Sequence, residues 1–201
     1  MRWFFAGILF AVVVALIAGL ALIRSGRGFS AREKPTAVET WVAQKSRAFA
    51  MPAEAKSRTN PVGNSPEVLA EGRAHWADHC FSCHSNNGSG DTALGKSMYP
   101  PAPDMRLSAT QQLTDGELFY IIQNGIRLTG MPAWGNGTPK DEEDSWKLVH
   151  FIRHLPQITL EEKKAMEKMN PKSADELAEE QEEERFLRGE DSHETTPEHH
   201  H

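Results

Sequence analysis

The sequence predicts an all-α chain: one membrane-length helix followed by a small helical domain. Three observations carry this. Residues 3–23 are an unbroken apolar run; several later stretches pair a helix-start signal with apolar residues at helical spacing; and one cluster, Cys80-Phe81-Ser82-Cys83-His84, ends the first of those stretches. At 201 residues, 39% of them hydrophobic, there is room for one ordinary domain with extensions.

The apolar run has 21 residues. As a helix it would be about 31 Å long, close to one hydrocarbon core. That exceeds the apolar region of about 7–15 residues usual in a signal peptide, and no A-x-A cleavage site follows, so a membrane anchor is expected. Arg24, Arg27, Arg32 and Lys34 follow the span, whereas only Arg2 and the terminal amine precede it. Taken alone, the positive-inside tendency would leave the rest of the chain in the cytoplasm.

Residues 24–65 are small, polar and basic, with Pro35, Pro52 and Pro61 as breaks, and read as a tether. If wholly flexible, about 40 residues have a root-mean-square reach of roughly 35 Å. Within them Val38, Trp41, Val42, Lys45 and Phe49 recur at helical spacing, so a short amphipathic helix over 37–50 is expected to pack on the protein's own domain.

A helix over 66–80 follows. Ser65 can cap it, Pro66 suits its first position, and Glu67 adds favourable charge to its first turn. Glycine inside a helix costs about 1 kcal/mol against alanine, so Gly72 marks a place where another helix crosses closely. Residues 85–98 contain Gly88, Gly90 and Gly95, and Tyr99-Pro100-Pro101-Ala102-Pro103-Asp104 comes next. Such proline density excludes helix and sheet interior alike, leaving a stiff loop suited to form a wall. A second helix runs from Thr114 through Asn124, stopped by Gly125. Thr138-Pro139 opens a third, whose first turn is acidic and which Pro156 ends. Thr159 with Glu162, and Ser173 with Glu176, make capping boxes for two more. The last stretch is a charged, partly disordered extension over 157–201 with few apolar anchors, and His193 and His199 to His201 receive no role.

Cys80-Phe81-Ser82-Cys83-His84 is the C-x-x-C-H pattern that attaches a c-type haem. Two thiols three positions apart can each add across a vinyl group of one porphyrin, and the next imidazole faces its iron. A zinc ribbon would need four ligands, usually a second cysteine pair, and the chain has only two cysteines. A thioredoxin-like pair would want a strand before it, which these residues do not offer. What fills the position opposite His84 separates electron transfer from small-molecule chemistry. Met131, held in Gly130-Met131-Pro132-Ala133-Trp134 between two helices, is the best placed methionine. Met98 and Met105 read as wall residues. The pairs His75 with His79 and His150 with His154 read as ordinary helix-surface histidines.

Residues 66–156 resemble a class I cytochrome c domain. Gly72 and Trp76 stand eight and four positions before Cys80, where that family has a glycine and an aromatic, and Leu148 and Phe151 match their partners on the last helix. The resemblance implies a class I cytochrome c fold around one covalent haem c, held by Cys80 and Cys83. It further implies His84 and Met131 as axial ligands, and a proline carbonyl that accepts the Nδ1 proton of His84. Pro103, in Pro103-Asp104-Met105, is the match, with Pro101 the weaker candidate. Arg127 is a candidate partner for a haem propionate, an ordinary exposed arginine being the other reading.

These expectations make the protein a single-electron carrier that breaks no substrate bond, with no small-molecule substrate. Residues 66–156 hold 7 Lys+Arg against 11 Asp+Glu, which disfavours nucleic acid as a partner. The expected partners are membrane lipid and redox proteins such as a quinol-oxidising complex and a terminal oxidase or reductase. Because c-type haem is attached beyond the bacterial inner membrane, the resemblance overrides the charge signal and implies a single-pass protein with a periplasmic haem domain. A fixed haem subunit of a larger membrane oxidoreductase is the alternative. A haem sensor or peroxidase-like enzyme ranks below both.

Overall fold

The computed structural model describes residues 2–25, 30–31 and 33–188, and among them every regular element is a helix. Arg27, Arg32, His193 and the terminal histidines lie outside the described residues.

Helix α1 (Arg2–Ser25) is long and apolar enough to cross a membrane. Helix α2 (Ala37–Ala50) starts where Thr36 caps and Glu39 returns the bond, and it buries none of its residues. The expected packing of its apolar face on the domain is therefore corrected: Val38, Trp41, Val42 and Phe49 are all exposed, and the helix meets the domain through a hydrogen bond between Glu39 and Tyr99. What packs instead is the chain after it. Met51 and Ala55 of α3 (Ala53–Ser57) are buried, and the Ala55 carbonyl sits where Gly116 leaves no room for a Cβ. Arg58 lays its guanidinium 4.4 Å from the centroid of Phe119 and 5.2 Å from that of Trp146. Asn60 donates to the Trp146 carbonyl at 2.9 Å, and His150 Nε2 lies 2.8 Å from the Val62 carbonyl.

Helix α4 (Pro66–His75) begins as its sequence dictates, with Ser65 accepting from the Val68 N–H and Pro66 in the first turn. One π turn, Trp76–Cys80, then joins it to the short α5 (Phe81–His84), with the Phe81 N–H bonded to the Trp76 carbonyl. The single helix expected over 66–80 is thus interrupted. Two further short helices, α6 (Ala93–Ser97) and α7 (Ser108–Gln111), bracket the proline loop. Helix α8 (Asp115–Asn124) carries a capping box from Thr114 and Glu117 and stops at Gly125, whose φ of 65° suits glycine. Helix α9 (Pro139–His154) is capped by Thr138 and passes into a 3-10 turn, Leu155–Gln157, containing Pro156.

The core forms where α4 crosses α9. Gly72 permits the crossing: a Cβ there would overlap the Lys147 carbonyl oxygen, stand 2.9 Å from its carbon and 3.2 Å from Phe151 Cβ. Trp76, Leu148, Val149, Phe151 and Ile152 are buried around the seam, with the Trp76 and Phe151 rings 5.6 Å apart. Helix α8 adds Leu118, Phe119 and Ile122, and Phe119 stacks on Trp146 at 4.1 Å. Arg153 ties α9 to the start of α8, donating to Asp115 and to the carbonyls of Gln111 and Leu113.

Helix α10 (Leu160–Glu167) closes the core from the C-terminal side, since Met166 is fully buried. Packing thus reaches beyond residues 66–156 in both directions. Helix α11 (Ala174–Leu187) has its capping box but buries nothing, and Leu177, Phe186 and Leu187 stay exposed.

Candidate haem site

The thiols and the imidazole come from the π turn and α5. A π turn adds a residue to the helical circuit, and such insertions recur at functional sites. Here it ends at Cys80, so Cys80 leaves one turn and Cys83 and His84 lie on the next. The geometry is held by Trp76, whose Nε1 donates to the Ser85 carbonyl at 3.1 Å. Ser85 has φ 62°, a backbone conformation a non-glycine residue adopts only when its surroundings enforce it. The indole supplies that restraint, and the Trp76 and His84 rings lie 5.7 Å apart.

Around this turn the chain closes a continuous rim. The Thr92 hydroxyl caps α6 and also donates to the Cys83 carbonyl at 3.2 Å. Gly95 packs so closely on the Cys83 carbonyl oxygen that a Cβ there would overlap it. The Ala102 N–H bonds to the Gly95 carbonyl and the Met105 N–H to that of Gly88, lacing the proline loop to the segment behind His84. Met98 then lies against Gly130, where an added Cβ would be 2.9 Å from Met98 Cγ. From Gly130 the Met131 loop turns back on α8, its Met131 carbonyl accepting from the Ile126 N–H at 3.1 Å. Trp134 meets His79 edge-on at 5.4 Å, one residue before Cys80. The Met131 loop is therefore attached both to the helix carrying the thiols and to the segment that follows His84.

Cys80, Cys83 and His84 are each half-buried. Burial pushes the Cys80 thiol up to about 12, with the neighbouring Cys83 adding to the rise. Burial also lowers the His84 pKa, which keeps the imidazole neutral and its lone pair available at neutral pH. His75 is lowered as well, by burial first and then by His79.

Haem c requires two uncommitted thiols and an imidazole not already held by the protein. Cys80 and Cys83 are both free. Nδ1 of His84 is buried and has no hydrogen-bond partner, an orphaned polar atom of the kind a bound group explains. No group of three metal-binding side chains competes for a metal ion among the described residues. The residues fit the group. The proline loop comes close, since Gly90 donates to the His84 carbonyl at 2.9 Å and a Cβ on Gly90 would be 3.2 Å from the Pro103 carbonyl oxygen. The bond from His84 Nδ1 to Pro103 that the resemblance implies is not formed in this structure. Pro103 and Arg127 are exposed, and Met131 is half-buried.

Residues 67–152 match the family model described as cytochrome C oxidase, cbb3-type, subunit III. This segment is a class I c-type cytochrome domain. The cytochrome domain covers somewhat under half of the chain and contains the Cys80–His84 motif, the Met131 loop and the α4–α9 crossing. The match supports a haem c electron-transfer domain over these residues. No curated protein matches the chain.

Two contributors to the rim, Thr92 and Trp134, were not legible in the sequence, whereas Met98 stands where its reading as a wall residue puts it. Thr92 looks like a loop threonine, although the T-x-x-G spacing to Gly95 was a cap signal. Trp134 meets His79 through a contact between distant segments, which no periodicity announces. Of the histidine pairs, His150 serves the Val62 carbonyl and His154 the Glu162 carboxylate, both structural roles.

Proposed function

We propose that the protein is a membrane-tethered monohaem cytochrome c that passes single electrons between respiratory membrane complexes, with its haem domain on the periplasmic side of a bacterial inner membrane. The observation that carries the reading is the closed rim joining Cys80, Cys83 and His84 to the Met131 loop within a c-type cytochrome domain. Haem supplies reversible one-electron chemistry at its iron. Cys80 and Cys83 would hold it through thioether bonds, and His84, whose Nδ1 has no hydrogen-bond partner, would supply the imidazole. Met131, on a loop fixed by the Ile126 and Trp134 contacts, would be the second protein ligand of the haem. With haem bound, a methionine sulfur and a histidine nitrogen as its protein ligands would favour the reduced state and raise the potential. With Met131 bound, the haem would leave no site for oxygen or peroxide, the property that would distinguish a carrier from a sensor or a peroxidase. Pro103 would have to shift for its carbonyl to accept from His84 Nδ1, which has no partner here, and Arg127 is the candidate partner for a propionate.

One observation favours a second reading, a fixed haem subunit of a membrane oxidoreductase: the matched family model is named for an oxidase subunit. The test is purification of the full chain from its native membranes in mild detergent. A carrier emerges alone, with one haem per chain, a one-electron redox titration and no rapid carbon monoxide binding by the ferrous form. Persistent co-purification of other subunits would establish the second reading, and rapid carbon monoxide binding would refute both.

A further inference from the structure

We infer that α2 is an interfacial helix that lies in the surface of an anionic phospholipid bilayer, so that the haem domain is held against the membrane at a set orientation. The inference rests on the reading of α1 as a membrane anchor. Val38, Trp41, Val42 and Phe49 share one face of α2, and their exposure runs from 48% to 93%. Nothing in the domain covers them, although the chain resumes packing immediately afterwards at Met51. The face is therefore presented outward from a helix whose C-terminal end is fixed, with Lys56 donating back to the Ala48 carbonyl at 2.7 Å.

Two observations select lipid as the occupant. The first is reach. Only residues 26–36 separate α1 from α2, a span of about 35–40 Å at full extension, so α2 cannot leave the neighbourhood of the headgroups. The second is charge. Residues 24–50 hold 6 Lys+Arg against 2 Asp+Glu, whereas residues 66–156 hold 7 against 11. The segment around α2 is thus basic, whereas the domain that follows is acidic. Lys45 lies within the apolar face, where its aliphatic stem can rest on the bilayer and its ammonium rise to a phosphate. Tryptophan with basic residues on a short amphipathic helix is the composition of interfacial binding. This also gives a role to the basic residues after the span, which run against the positive-inside tendency.

The test uses the full-length holoprotein, whose own cysteines are consumed by haem attachment, in vesicles of phosphatidylglycerol with phosphatidylethanolamine. A nitroxide is placed at Phe49→Cys, on the apolar face, and at Thr40→Cys, on the opposite one, and each variant is checked by its visible spectrum. Collisions with dissolved oxygen and with a water-soluble nickel chelate are compared. At position 49 oxygen should dominate, and at position 40 the chelate. Lys45→Glu, or replacement by all-phosphatidylcholine vesicles, should lower surface binding of the helix roughly tenfold. Equal exposure of both positions to the chelate overturns the inference. So does protection at position 49 with dipolar broadening between labels, which would place a second copy on this face. A protein that fails to float with the vesicles refutes the anchor itself, an outcome distinct from one that floats with position 49 in water.

Discussion

Gly72→Ala isolates the contact on which the cytochrome fold turns. In a free helix the substitution would stabilise by about 1 kcal/mol. At the α4–α9 crossing the new Cβ would stand 2.9 Å from the Lys147 carbonyl carbon and 3.2 Å from Phe151 Cβ, and it would overlap the carbonyl oxygen. Ordinary carbon contacts need about 3.5–4.0 Å, so the helices must part by roughly 0.5–1 Å, forfeiting a quarter to a half of each contact's attraction along the seam. Neither backbone can yield cheaply, because Trp76, Val149 and Phe151 are wholly buried beside it. Overpacking of this kind costs about 1–3 kcal/mol, and the added loss at the seam brings the net change to about 2 kcal/mol destabilising after the helix gain is deducted. The assay is guanidinium unfolding of the oxidised full-length holoprotein in detergent, followed by Soret absorbance and far-ultraviolet dichroism. Gly63→Ala is the control, since nothing lies within 4 Å of a Cβ there. A Gly72→Ala protein as stable as the parent, or more so, would refute the close crossing.

Trp76→Phe keeps a ring in the core but removes the donor to the Ser85 carbonyl. A loss of about 1–2 kcal/mol is expected in thermal unfolding, and a change below about 0.5 kcal/mol would mean that the indole does not hold the Ser85 turn. Glu162 accepts from the Thr159 N–H and from His154 and pairs with Arg73 at 3.3 Å. Burial alone would raise its pKa, but the Thr159 and His154 hydrogen bonds and the His154 charge outweigh it, holding the carboxylate below its ordinary value. The stabilisation is therefore full above the ordinary carboxylate pKa and is lost as pH falls through the depressed one. Glu162→Gln, which retains a capping oxygen, is expected to cost about 1–2 kcal/mol at neutral pH. The gap from the parent should close in acid, and denaturant midpoints that differ equally at pH 7 and pH 3 would contradict this.

Helix starts were the most legible part of the structure. Ser65, Thr114, Thr138, Thr159 and Ser173 all accept the backbone bonds their positions imply, because a cap depends on residues within one turn. Gly72 was legible for a related reason: a helical glycine carries a local cost that only a tertiary contact explains. The π turn was not, since it is set by the distant bond from Trp76 to Ser85 rather than by local preference. Packing of residues 51–62 also escaped notice. Ala55 packs its own carbonyl on Gly116 and Asn60 donates to the Trp146 carbonyl, single contacts that leave no hydrophobic period to read. Met166 is the one buried residue on an otherwise charged helix, too sparse a pattern to reveal. At the site, the motif itself announced Cys80, Cys83 and His84, whereas the rim through Thr92 and Trp134 arises from loops meeting in space.

The central claim is that the loop at Met131 supplies the sulfur ligand that makes this an electron-transfer site. The most direct measurement is the visible spectrum of the oxidised holoprotein beside Met131→Ala and Met98→Ala, the second chosen because Met98 packs on Gly130 next to the proposed ligand. The expected result is a weak long-wavelength sulfur-to-iron band, present in the parent and in Met98→Ala and absent from Met131→Ala. A band that survives Met131→Ala, or one lost instead with Met98, would contradict the claim.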